Sequence, residues 1–526
     1  MRRRLDLGKP ARWTVPDLPP AESAMNTQDA ATSMADRTAE GAPAGGSAHA
    51  WRLPGPALAA LYLAFCGTAP ALALATLGDS APLAGWEKVA GALGLVALAA
   101  MTVQLVTSGR FDTVSGRLGI DRIMAFHKLI AWWILIALLA HPLLYVLPTW
   151  LADPALGRER LVAYLTAPHY RSGVVALAAL ALLVVGGALR ERLPWRYETW
   201  RGSHLVLALV AVGGGLHHAI TAGRFSVAGP VNLFWWAVAL GAIAVVAVLY
   251  GWRWAKLHRH PWRLASVTRR ADRMWELDIQ PGPGNPPWTY RAGQFVWMTE
   301  GARRFPLLDH PFSIADSPLR PGLSLLVKEA GDFTSRVGAL APGTPIGIDG
   351  PYGVFMLDAH PCDAVVLIAG GAGIGPIMGL LRDLAARRDP RPIRVAYAAG
   401  RPENFACLDE IRAAASVLDL EIVLVSEAGG AGWGGHIGRL DRERLEELLR
   451  GLDPQRTVAF MCGPGPMVTG VSDTLLDIGM PMRNVVYERF DYGSGAASRQ
   501  DRRHALVIAA VGAGLVALAG LFALVA

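Results

Sequence analysis

The chain changes texture about halfway along. Six apolar runs, near 56–77, 86–107, 123–147, 172–190, 203–222 and 231–252, each approach the ~20 residues an α-helix needs to cross a bilayer. They predict six membrane-spanning helices. From about Pro261 the apolar segments shorten and Gly/Pro turns separate them. RLASVTRRADRMWELDIQ, YRAGQFVWMT and LSLLVKE predict strands of a small antiparallel β-barrel. After Pro361, the strands AVVLIAGG, IRVAYAA, EIVLVSE and TVAFMC alternate with helical stretches, which predicts a parallel α/β domain. A last apolar run, ALVIAAVGAGLVALAGLFALVA, follows Arg502, Arg503 and His504. It lacks the polar face of a helix lying on a membrane and predicts a seventh span. Residues 1–50 hold no helical or strand period and are rich in Ala, Pro, Gly, Ser and Asp. They predict a disordered tail, since a signal peptide would place its apolar core nearer to Arg2, Arg3 and Arg4.

Composition supports the membrane part: 52% of residues are hydrophobic and the mean hydropathy is +0.31. The net charge of +7 suggests a nucleic-acid partner at first. However, the basic residues fall mostly between apolar runs, and no basic–aromatic patch stands out. Arg110, Arg117 and Arg122, then Arg190, Arg192, Arg196 and Arg201, then Arg253, Lys256, Arg259 and Arg263 share one side of the membrane. The positive-inside rule makes that side cytoplasmic, with the barrel and the α/β domain. The opposite loops, Asp79 to Glu87 and Arg224 to Pro230, are less basic, although Arg158 and Arg160 in the loop from Thr149 to Arg171 narrow the contrast. Cys66, Cys362, Cys407 and Cys462 are scattered without a CxxC. That pattern supports no disulfide framework, zinc site or plant-type iron–sulfur cluster.

Candidate chemistry begins in the membrane. HKLIAWWILIALLAH places His127 and His141 fourteen positions apart. On a helix this leaves the two rings within roughly 40° of one face and ~21 Å apart along the axis. HLVLALVAVGGGLHH repeats the arrangement from His204 to His218. One histidine in an apolar helix is more often a hydrogen-bonded core residue than a ligand. Two matched pairs in a membrane, where ionisable groups tend to mark function, point to two bis-imidazole sites, and haem iron is their usual occupant. Helix phase favours His218 as the partner of His204, but Gly213, Gly214 and Gly215 could distort the turn and bring His217 round. Orientation puts His127 and His204 toward the cytoplasm.

In the second half, GGAGIGP (Gly370 to Pro376) follows a strand and opens a helix. Gly370, Gly371, Gly373 and Gly375 remove side chains where a diphosphate must approach the backbone, although any tight strand-to-helix turn could use them. DHPFSI (Asp309 to Ile314), GDFTSRV (Gly331 to Val337) and GPYG (Gly350 to Gly353) fall in the barrel. CGPGPM (Cys462 to Met467) follows the last strand, and ERFDY comes near the end of the α/β domain. With the histidine pairs upstream, this ordered set resembles the ferric reductase / NADPH oxidase superfamily in its bacterial form, without calcium-binding or other regulatory modules. The resemblance spans roughly residues 56–493.

The resemblance implies a six-helix dihaem bundle over 51–257, an FAD-binding antiparallel barrel over 258–359 and a Rossmann-like NAD(P)-binding α/β domain over 360–493. The linker and terminal helix, 494–526, are an addition that could tether the α/β domain or mediate pairing. It places His310 by the FAD phosphates, with Phe312 and Ser313 along the isoalloxazine ring, and Pro311 and Ile314 in the same cofactor-binding segment. Lys328 and the flavin-phosphate turn of Gly331, Phe333, Thr334 and Ser335 belong to that site, although the hydroxyls could equally be N-caps. Gly350 lies in the closing turn of the barrel. The nucleotide falls to the Gly-rich turn with Pro376, and to Cys462, Gly463, Pro464 and Met467. Cys462 is expected near the nicotinamide, or else is an inert buried thiol. Phe490, after Glu488, is expected close to the flavin, or packs on the surface. Arg401 at a strand end could meet the 2′-phosphate of NADPH, or be merely solvated and leave NADH as donor.

The implied activity is transmembrane electron transfer. Cytoplasmic NAD(P)H would reduce FAD, two b-type haems would follow, and ferric iron or O2 would accept electrons outside. A haem conduit to a quinone or periplasmic redox partner, and an anchored flavin reductase without haem, are the rival readings. Nucleic acid is not an expected partner.

Overall fold

The structure is a computed structural model. It describes residues 54–77, 84–107, 111, 119–227, 229–301, 305–430, 432–490 and 497–526. The tail expected over 1–50, and with it Arg110 and Arg117, lies outside the described residues. Among those described, seven helices are long and apolar enough to cross a membrane. The first six contain α1 (Gly55–Thr76), α2 (Gly85–Val103), α3 (Ile120–Ala152), α5 (Arg171–Ala188), α6 (Tyr197–Ala222) and α7 (Gly229–Val246). A π-helical turn, Ala247–Trp252, carries α7 into α8 (Arg253–Arg259).

Small side chains set the packing of this bundle. Ala92, Ala97 and Ala100 of α2 are fully buried, which lets neighbouring helices approach closely. Ile136, Leu182, Leu233 and Leu240 point outward and are well exposed. On a soluble protein such surface would be a liability, whereas lipid covers it here. Three boundaries differ from the hydrophobic pattern. α3 has 33 residues and reaches ~50 Å, well beyond the ~30 Å hydrocarbon layer. Inside the expected loop from Thr149 to Arg171 lies α4 (Pro154–Thr166), where the Asp153 carboxylate accepts from the N–H groups of Ala155 and Leu156. An Asp cap followed by Pro at the first helical position is a start signal that the hydrophobic pattern alone does not carry. Finally, α6 begins six residues before its apolar run, in YETWRG.

The next six strands are β1 (Trp262–Ala271), β2 (Met274–Pro281), β3 (Phe295–Glu300), β4 (His310–Ser313), β5 (Leu323–Lys328) and β6 (Pro345–Tyr352). They form an antiparallel sheet in the order β4-β3-β6-β1-β2-β5, and an Ile314–Leu325 bridge links its two edges. Inward residues such as Leu264, Leu277, Met298 and Leu325 fill it.

The α/β domain contains β7 (Ala364–Gly370), α9 (Ile374–Arg387), β8 (Ile393–Ala399), α10 (Leu408–Ala414), β9 (Leu420–Ser426) and β10 (His436–Ile437). It continues with α11 (Arg442–Leu448), β11 (Thr457–Gly463), α12 (Gly465–Asp477) and β12 (Val485–Arg489). The sheet is parallel, ordered β10-β9-β8-β7-β11-β12, and its strands are nearly continuous apolar runs because helices cover both faces. Buried Arg382 of α9 locks this domain to the barrel. It donates to Glu276 of β2 at 2.7 Å, to Glu410 at 2.6 Å and to the Ala315 carbonyl at 2.6 Å.

The seventh span, α13 (Arg499–Val525), packs inside the same chain. Leu518 lies over Gly67, Leu63 over Gly514, and Phe522 meets Phe225 at 5.5 Å. Its first turn holds the α/β domain: Asp501 accepts from the Tyr487 hydroxyl at 2.6 Å and pairs with Arg489 at 2.7 Å.

Candidate functional site

The parallel sheet changes direction between β7 and β11. Successive strands run outward from β7 on one side, and β11 returns to its other flank. Such a switch point opens a crevice at the carboxyl ends of both strands, the usual ligand position in an open α/β sheet. Both predicted nucleotide motifs lie there, each turning a strand into the N-terminus of a long helix.

The glycines divide into two roles. A Cβ at Gly373 would overlap the Cys462 carbonyl oxygen, and one at Gly370 or Gly463 would crowd Met467. Those three glycines, with Pro464, let the two turns nest. Gly371 adopts φ +53 and faces open space toward Lys328, whose Nζ would lie 4.0 Å from an added Cβ. Gly375 is similarly open, with the Ser313 Cβ 3.9 Å from an added Cβ and Pro376 buried behind it. The structure therefore brings Ser313, Lys328 and the Gly-rich turn together across the barrel–α/β boundary.

Cys462 is fully buried at the end of β11, in register with Glu488 of β12. Burial, then the Glu488 carboxyl beside it, push the thiol far above its ordinary range, so it stays a neutral thiol. Burial, then Asp121 of α3, push the Glu488 carboxyl up to about 8. Phe490, just past the end of β12, is 47% exposed. Arg401, beyond β8, is exposed and 4.0 Å from Glu403.

In the barrel, Phe312 and Pro311 pair with Val296 and Trp297 of β3, and Ile314 is buried. His310 stacks on Phe333 with centroids 4.2 Å apart and planes at 8°. Burial lowers its imidazole below the ordinary value despite nearby Glu198 and Asp309, which leaves it neutral at pH 7. The Thr334 hydroxyl accepts from the N–H groups of Ala330 and Gly331, and the Ser335 hydroxyl donates to the Gly331 carbonyl. Both hydroxyls hold the turn itself. The Gly350 carbonyl accepts from the Trp288 indole at 3.2 Å.

In the bundle, His127 of α3 and His204 of α6 face one another with ring centroids 6.4 Å apart. At the other end of the same helices, His141 and His218 are neighbours, and His217 is turned outward and exposed. The undistorted helix phase prevails over the glycine run. His141 Nδ1 lies 2.7 Å from the Ala90 carbonyl, which leaves Nε2 for another partner, while His218 Nδ1 is buried without a hydrogen bond. Glycines clear space beside both rings. A Cβ at Gly94 would come within 2.8 Å of His141, and one at Gly173 within 2.9 Å of His218.

Three family models match the chain in succession: a ferric reductase like transmembrane component over residues 93–215, an FAD-binding domain over 260–355 and an oxidoreductase NAD-binding domain over 367–473. The chain has the architecture of the ferric reductase / NADPH oxidase superfamily. This ferric reductase-like chain is a multi-pass membrane protein with FAD- and NAD(P)-binding oxidoreductase domains. A flavohemoprotein of Bordetella pertussis is 28% identical over 255 residues, 45% of this chain and 62% of its own length. NADH-cytochrome b5 reductase 1 of Laccaria bicolor is 27% identical over 172 residues, 32% of this chain and 56% of its own. The chain thus spans less than two thirds of the length of these curated relatives. A ferredoxin NADP+ reductase from Neisseria gonorrhoeae aligns with a TM-score of 0.39 at 20% identity, covering 44% of this chain and 97% of that one.

The ferric reductase-like bundle and the barrel are joined by two arginines that the motifs did not flag. Arg201 of α6 donates to the Asp309 carboxylate at 2.7 Å and to the carbonyls of Asp309 and Pro306. Arg253 of α8 donates to buried Asp349 at 3.0 Å. Both arginines sit in basic stretches that the sequence explains as membrane orientation. Their acidic partners lie ~100 residues downstream, a pairing that no local pattern shows.

Proposed function

We propose that this chain carries electrons from cytoplasmic NAD(P)H through FAD and two b-type haems to an acceptor at the far face of the membrane. The observation that carries the reading is the pairing of histidines at each end of α3 and α6, His127 with His204 and His141 with His218. Groups of three or more His, Cys, Asp or Glu suited to a bare metal ion are absent among the described residues. A two-histidine site suits a group that brings its own equatorial ligands. His127 and His204, with ring centroids 6.4 Å apart, would hold such a group between them. The buried, unpartnered His218 Nδ1 and the glycine-cleared space beside His141 and His218 fit it as well.

In this reading His127 and His204 hold the inner group, and His141 and His218 the outer one. Thr107 Oγ1, 3.5 Å from His127 Nδ1, and the Ala90 carbonyl at His141 orient the inward nitrogens. FAD supplies the conversion of a hydride into single electrons, and haem, when bound, supplies one-electron carriers. The chain supplies placement. Gly371 and Gly375 leave room for the dinucleotide, Lys328 offers a cation to its phosphates, and Ser313 faces the same crevice. Buried Cys462 packs behind the nicotinamide position, with Phe490 close to the flavin. Exposed Arg401, only loosely paired with Glu403, is the side chain to meet a 2′-phosphate, which favours NADPH over NADH. Ferric chelates and O2 are the acceptors proposed.

A His141→Ala variant tests the haem assignment directly. Haem content is expected to fall by about half while NAD(P)H–dye reductase activity stays at the wild-type level. Unchanged haem content in that variant would falsify the assignment.

A further inference from the structure

The histidines of the inner site are linked to the flavin motif by a continuous series of rings. Tyr197, Trp200 and His204 occupy positions i, i+3 and i+7 of α6, and so share one face. From the motif upward, His310 lies 5.5 Å from Tyr197, Tyr197 stacks on Trp200 at 6.3 Å, and Trp200 lies 5.4 Å from His204. Phe333 extends the series on the barrel side, 4.2 Å from His310 and 6.1 Å from Phe312. His127 completes it on the membrane side.

A membrane-interface belt also enriches Trp and Tyr. Belt residues of this chain look different, however: Trp195, Trp252 and Trp254 at the same end are about half exposed or more. Tyr197 and Trp200 are half-buried and turned toward other rings. Arg190 holds both, with its guanidinium 5.0 Å from the Tyr197 ring and 4.6 Å from the Trp200 ring, and Arg201 adds a second cation 5.3 Å from Tyr197. A cation over an aromatic face makes an electron harder to remove from it. The rings are therefore guarded against oxidation.

We infer that Tyr197 and Trp200 are positioning residues that provide the packed pathway coupling the flavin site to the inner haem site, without themselves changing redox state. This rests on reading His127 and His204 as haem ligands. The electron balance is simple. With the cofactors bound, the hydride given up by NAD(P)H would be divided into two electrons and one proton: the electrons would leave the flavin singly, each reducing one ferric iron to ferrous, and the proton would pass to water. The rings enter and leave the sequence unchanged. Arg201 ties the arrangement together, since one side chain touches Tyr197 and holds Asp309, the neighbour of His310.

The test uses the detergent-purified holoprotein with Trp200→Leu, Trp200→Phe and Tyr197→Leu. Stopped-flow spectra after NADPH addition separate flavin bleaching from the rise of the ferrous haem bands, and a dye-mediated titration gives the haem midpoint potentials. Trp200→Leu is expected to bleach flavin at the wild-type rate and to reduce haem at least tenfold more slowly. Its haem content and midpoint potentials should be unchanged, and Trp200→Phe should recover most of the rate. Tyr197→Leu should fall between. Wild-type haem reduction rates in Trp200→Leu would overturn the inference, as would slowing accompanied by lost haem or shifted potentials, which marks a structural role. Wild-type protein without haem bands would overturn the dihaem reading and this inference with it. Wild-type bands with unaltered rates in the variants overturn this inference alone.

Discussion

The two ends of the histidine-bearing helices make an instructive contrast. At one end, His127 and His204 are surrounded by links to the soluble half: the Tyr197–Trp200 series, the Arg201–Asp309 bridge and, nearby, Arg253–Asp349. At the other end, His141 and His218 are surrounded by membrane helices, with a backbone carbonyl from α2, glycines from α2 and α5, and Tyr145 and Tyr170 as ring neighbours. The same fourteen-residue spacing thus places one histidine pair beside the barrel and the other among membrane helices. A chain that only anchored a flavin reductase would need the first set of contacts and not the second.

Ligand removal should break the contrast most sharply. His204→Ala is expected to abolish NADPH-driven haem reduction, whereas His218→Ala should leave about half the haem, still reducible by NADPH. Pyridine haemochrome assay and difference spectra read both. Next, Gly173→Val should mimic His218→Ala, because the new side chain would strike the His218 ring while leaving the inner site untouched. Haem content would fall toward one per chain, and two haems retained would contradict the packing. Third, Arg201→Ala removes the guanidinium that pairs with the buried Asp309 carboxylate, at a cost on the order of 3 kcal/mol. Faster hydrogen exchange in β4, with intact exchange around His141, would place that loss at one end only.

A smaller effect concerns pH. Burial opposes the charge on Glu276, but Arg382 and Arg270 outweigh it and hold the carboxyl below its ordinary value of 4.5. A depressed folded pKa means the stabilisation is complete above the ordinary value and is lost as pH falls through the folded one. The thermal stability of the soluble half should therefore fall below about pH 4.5, and Glu276→Gln should flatten that acid limb. The smallest change expected is from His217→Ala. An exposed side chain on the outer face should alter stability by no more than about 0.5 kcal/mol, with haem content unchanged.

Much of this arrangement is legible from residue order. Apolar run length gives the spans, because a bilayer imposes ~20 residues on any helix crossing it. The Gly-rich turn and CGPGPM announce the crevice because diphosphate access demands missing side chains next to helix N-termini. Plain helix phase puts His218 rather than His217 on the face of His204, although only the fold shows that Gly213 to Gly215 leave the turn regular. What local patterns hide is whatever joins distant segments. Arg201 and Asp309 lie 108 positions apart, and nothing local to either points to the other. Tyr197 and Trp200 sit ahead of the apolar run, where the hydrophobic pattern had not yet begun α6. Their i, i+3, i+7 relation to His204 was nevertheless present in the sequence. Helix α4 was hidden in the same way, since Asp153-Pro154 is a cap signal without apolar periodicity behind it.

A reduced-minus-oxidised spectrum of the purified protein, with NADPH first and dithionite second, tests the electron path most directly. NADPH alone is expected to bleach the flavin and raise sharp α and Soret bands of low-spin b-type haem, with little further increase from dithionite. Flavin bleaching with no haem bands under either reductant would contradict it, and would leave an anchored flavin reductase whose paired histidines are structural.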